Sequence, residues 1–100
     1  MIERDALFLM ANLGSEVSRA LQFRDAHDCL RSQQSAARAQ NIADQLTALP
    51  EMQSRISELQ VLHDVISDIP NAQPRYHITS DDLNGYFMPF ALRYASNSLT

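Results

Sequence analysis

Apolar side chains at Ala6, Met10, Leu13, Val17 and Leu21 recur at intervals of three and four residues, which keeps them on one face of a helix with 3.6 residues per turn. The pattern runs on through Phe23, Ala26 and Leu30, but these point more than a quarter turn away from the first stripe, so a single long helix here would touch two neighbours. From Arg31 to Ser35 no residue is apolar, and beyond that stretch the stripe rotates to Ala39, Ile42, Ala43, Leu46 and Leu49. A kink or short turn is expected at Arg31 to Ser35, with Ser32 or Ser35 capping the next helix. Pro50 ends that helix and suits the first turn of another, where its missing N–H leaves nothing unpaired.

A third stripe, Met52, Ile56, Leu59, Leu62, Ile66 and Ile69, closes at Pro70 and has Glu51 near its positive N-terminal end. Val61 and Val65 lie off this stripe. Pro70 to His77 reads as a polar connection between helices, held by Pro70 and Pro74. After it, Thr79-Ser80-Asp81-Asp82 has the form of a helix start, a hydroxyl followed by acids in the first turn, and Leu83, Phe87, Phe90 and Tyr94 follow at helical spacing. Pro89 kinks such a helix. The competing reading is a hairpin turning at Asn84-Gly85, with Tyr76 to Ile78 paired to Tyr86 to Met88. Short connections and the absence of an internal repeat predict one all-α domain spanning 1–100. It is a small helical hairpin or bundle of three to four helices with a kinked aromatic C-terminal helix.

Composition narrows the picture without changing it. The chain has 100 residues, 45% of them hydrophobic and 20% charged, with a net charge of −4, which suits one small domain and excludes disordered and collagen-like classes. One cysteine, Cys29, allows no disulfide within the chain, so a reducing compartment is expected. The N-terminal residues, with two acids and one arginine before a short apolar run, do not resemble a secretory signal. With no apolar run long enough to span a bilayer, the sequence reads as a mature cytoplasmic protein.

Candidate chemistry is sparse. His27-Asp28-Cys29 offers a base, a carboxylate and a thiol, yet side chains two apart on a helix diverge by about 200°, and no second His or Cys stands at ligand spacing. Cys29 reads instead as a small apolar residue in a helix interface, and His63 as a satisfied interface histidine. Asp81-Asp82 suits capping better than acid and base catalysis. No nucleophilic triad, phosphate-binding glycine loop or dinucleotide motif is present. The expectation is a protein that is not an enzyme, with no catalytic residue, metal site or cofactor.

All eight basic residues are arginine. Arg24, Arg31 and Arg38 recur every seven residues and would form a cationic stripe if one straight helix carried them. Neighbouring Asp25 and Asp28 and the expected kink make a solvated face the simpler reading, and a net-negative chain without a basic run is a poor direct binder of nucleic acid.

Five of the seven aromatics, Tyr76, Tyr86, Phe87, Phe90 and Tyr94, fall in the last quarter of the chain with Met88 and Leu92. Such residues are enriched where proteins meet proteins. Together with the acidic face of the third helix, they make Glu58, Asp64, Tyr76, Tyr86, Phe87 and Tyr94 the expected partner-binding residues. The profile is that of small acidic inhibitors from phages and mobile elements, such as anti-CRISPR proteins and antiactivators. The expected function is steric: covering a basic nucleic-acid-binding surface of a larger protein complex. The alternative is a self-assembling helical protein or secretion chaperone, active as a homodimer.

Overall fold

A computed structural model of the chain describes residues 4–71 together with 73, 75, 76, 79, 81–83, 85 and 86. Among residues 4–71 the elements follow in the order α1 Arg4–Asp25, α2 Cys29–Thr47, the 3-10 helix Pro50–Arg55, and α3 Ile56–Asp68. No strand occurs among the described residues, and the small all-α bundle expected from the stripes is the fold.

The first joint lies earlier than the polar stretch suggests. α1 ends at Asp25, and His27 adopts a left-handed backbone with φ 60°. The Asp28 N–H donates to the Phe23 carbonyl at 2.8 Å and the His27 N–H to the Arg24 carbonyl at 3.0 Å, the paired reversal that satisfies carbonyls at a helix end. Asp28 then caps α2, its carboxylate accepting from the Arg31 N–H at 3.2 Å. A Cβ at a left-handed position is unfavourable and glycine is not so penalised. His27→Gly is therefore expected to stabilise the fold by up to about 1 kcal/mol, since relief of strain exceeds the extra chain entropy lost. Urea titration checks this through a raised midpoint with an unchanged slope.

Arg31 to Ser35, where a turn was expected, instead lies inside α2 because its serines face the protein. Ser32 and Ser35 are fully buried, and the Ser32 hydroxyl donates to the Ala20 carbonyl of α1 at 2.9 Å. With Ala36, Ala39 and Ala43 they form a buried stripe of small residues along α2. Ser32 meeting Ala20 and Arg38 meeting Glu16 fix α1 and α2 as antiparallel. Gln53 closes the next joint by donating to the Thr47 carbonyl at the end of α2 at 3.4 Å and to the Leu49 carbonyl, which also accepts from the Met52 N–H, at 3.3 Å.

The third stripe divides into two elements. Pro50 opens the 3-10 helix, which buries Met52, and α3 takes over at Ile56. α2 is the central helix, packed against α1 on one side and α3 on the other. Leu13, Val17, Leu46, Met52, Leu59 and Ile66 are among the fully buried core side chains, joined by Leu83 beyond the connection. Residues 81–83 and 85–86 are helical, so Tyr86 is not in a strand. Ile78, Phe87, Met88 and the kink expected at Pro89 lie outside the described residues, as do Phe90 and Tyr94.

Candidate functional site

α3 presents its stripe inward, with Leu59, Leu62 and Ile66 buried, and this leaves Val61 63% exposed and Val65 half-buried on the opposite side. Beside them stand Leu83 and Tyr86 from the helical residues that follow the connection. Glu58, Val61, Leu62, Val65, Asp82, Leu83 and Tyr86 line an open groove of about 380 Å³. Its floor is aliphatic and its two carboxylates are exposed. The Tyr86 hydroxyl donates to Glu58, which fastens one wall to the other. Burial first, and then that hydrogen bond, push the Tyr86 phenol above its ordinary pKa.

The second wall begins with a reciprocal cap. The Asp82 N–H donates to the Thr79 hydroxyl at 3.1 Å while the Thr79 N–H donates to the Asp82 carboxylate at 3.0 Å. The helix start expected at Thr79 is therefore formed. The Thr79 N–H, and after it the Thr79 hydroxyl, lower the pKa of the Asp82 carboxyl.

What holds this wall near α3 is a carboxylate clasp. Asp68 is 2% exposed at the last turn of α3 and accepts three hydrogen bonds: from the Asn71 side-chain amide at 3.0 Å, the Arg75 N–H at 3.0 Å and the Tyr76 N–H at 2.9 Å. One turn earlier, Asp64 accepts from the Arg75 guanidinium at 2.8 Å and the Tyr76 hydroxyl at 2.7 Å. The Arg75 guanidinium also lies 5.4 Å from the centre of the Tyr76 ring.

The Tyr76 hydroxyl and then Arg75 hold the Asp64 carboxyl below its ordinary pKa, and the Arg75 N–H is the main cause of the same shift at Asp68, opposed by burial. A carboxyl with a lowered folded-state pKa contributes stability that is complete above the unfolded value and lost as pH falls through the folded one. The clasp is thus expected to stay closed from neutral pH to about 3.8 and to open only below it. Amide shifts of Arg75 and Tyr76 followed by NMR against pH provide the measurement, with both midpoints below 3.8.

Of the expected partner-binding residues, Glu58 and Tyr86 lie together in the groove, and Asp64 and Tyr76 engage each other in the clasp. Phe87 and Tyr94 fall outside the described residues. Residue-by-residue reading missed Asp68, although one signal was present: an acid in the last turn of a helix opposes the helix dipole and needs donors of its own.

The arginine stripe is not formed, because α1 ends between Arg24 and Arg31. Arg24 pairs with Asp25 at 3.0 Å, Arg31 with Asp28 at 3.6 Å and Arg38 with Glu16 at 3.1 Å. Arg31 also stands 5.8 Å from the Phe23 ring centre. Cys29 is exposed at the start of α2 rather than packed in a helix interface. His63 Nε2 lies 3.5 Å from the Asp44 carboxylate of α2, with both side chains open to solvent. Among the described residues no three metal-capable side chains converge, and no helix is long and apolar enough to cross a membrane. No family model matches the chain, and neither curated proteins nor solved structures include a match to it.

Proposed function

We propose that the chain is a non-enzymatic protein-binding module that uses the α3 groove to cover a basic, nucleic-acid-binding surface of a larger partner. The observation that carries this reading is that apolar surface and charge coincide. Residues 56–86 carry a net charge of −4, five carboxylates against one arginine; Asp64 and Asp68 are taken up by the clasp, while Glu58, Asp81 and Asp82 are exposed and Glu58 and Asp82 line the groove. An acidic patch of this kind steers association with a basic surface, while exposed Val61 and its aliphatic neighbours supply the desolvated centre that charge alone does not.

Two copies meeting through this face would set carboxylates against carboxylates, which disfavours the self-assembling alternative. A small inhibitor made by a phage or mobile element is a setting that suits such steric action. The cytoplasm is the compartment that suits such a protein, since the exposed thiol of Cys29 is kept reduced there.

Competition tests the reading. Full-length protein immobilised on resin and exposed to extract of its source cells should retain a nucleic-acid-binding protein. Added duplex DNA or structured RNA should release that protein, and rising salt should weaken its capture. Retention unaffected by both nucleic acids would overturn the covering mechanism.

A further inference from the structure

We infer that the groove receives an amphipathic helix of the partner, carrying two aliphatic or Met side chains one turn apart, flanked by Lys or Arg; this rests on the protein-binding reading and specifies the chemistry of its target. Val61 and Val65 are four residues apart on α3, a rise of about 6 Å. That matches the separation of side chains at i and i+4 on a helix laid alongside, the usual anchor spacing of helix-in-groove recognition. Leu62 and Leu83 form the floor between the walls.

Charge selects among occupants. Glu58 and Asp82 are exposed at the groove. Each carboxylate has about four lone-pair sites, and the bonds from the Tyr86 hydroxyl and the Thr79 N–H leave room for cationic donors from outside. A cationic flank on the ligand would complement both carboxylates, whereas a second copy would bring like charges together.

The experiment titrates the full-length protein with an amphipathic peptide bearing two Leu one turn apart and Arg on either side, read by methyl and amide NMR and calorimetry. Expected are shifts centred on Val61, Val65 and Leu83, and affinity at least tenfold lower when both Leu become Ser, when the Arg become Glu, or when the protein carries Val61→Arg. Val61 is exposed, so that variant should keep the wild-type circular dichroism, which is checked first.

Absence of binding, equal affinity for either control peptide, or shifts centred elsewhere would overturn the inference. So would contacts from residues 87–94 or from a second copy already occupying Val61 and Val65 before peptide is added. The covering mechanism is read separately, by nucleic-acid release of the intact target. A target released in that way while the peptide fails to bind sinks the helix-in-groove inference alone.

Discussion

Leu46→Ala is expected to destabilise the protein by about 2–5 kcal/mol, a large part of the total stability of a domain this small. Leu46 is 0% exposed near the C-terminal end of α2, the helix packed against both α1 and α3. Truncation removes the transfer energy of the lost carbons and leaves a cavity that rigid helices on both sides fill poorly. Urea unfolding followed by circular dichroism should show the midpoint falling with little change in slope. A loss below about 0.5 kcal/mol, the range of surface substitutions, would mean that α2 is not the packing centre.

The second large effect is local. Asp68→Ala removes the acceptor of three hydrogen bonds at once and leaves the Arg75 and Tyr76 N–H groups without their partner. Exchange of those two amides should accelerate at least roughly tenfold, while core amides of α1 and α2 change much less. Asp68→Asn should be nearly as disruptive. If its oxygen keeps the place of Oδ1, facing Asn71 and Arg75, its NH2 faces the Tyr76 N–H, donor against donor. Because Tyr76 lies three residues before Thr79, the cap of the second groove wall, either change is expected to weaken target binding as well without altering a groove residue. Unchanged exchange at Arg75 and Tyr76 would show that the clasp does not hold the connection.

The stripes at Ala6 to Leu21 and Met52 to Ile69 made the helices legible because burial on one side imposes a period, and Pro50 and Pro70 punctuate them through their missing N–H groups. The first joint was not legible for two reasons. Its reversal uses His27 where glycine is usual, and Ser32 and Ser35, polar by composition, are buried in a close helix contact. The groove was half legible. Val61 and Val65 stood off the main stripe, and Glu58 and Tyr86 were expected to act in binding, but their meeting depends on contacts 28 residues apart that periodicity does not report. The clasp was least legible, since the backbone donors that Asp68 gathers leave no mark in the sequence.

The central claim is that the α3 groove is the surface that binds, and paired charge introductions test it most directly. Val61→Arg alters the groove, whereas Leu30→Arg alters a comparably exposed apolar residue on the first turn of α2; the two side chains are 63% and 65% exposed, so both variants should fold as the wild type does. The measurement is the affinity of each full-length variant for the target captured by the wild-type protein. At least tenfold weaker binding is expected for Val61→Arg, about 1.4 kcal/mol, and wild-type affinity for Leu30→Arg. Normal binding by Val61→Arg, or equal losses in both variants, would contradict the central claim.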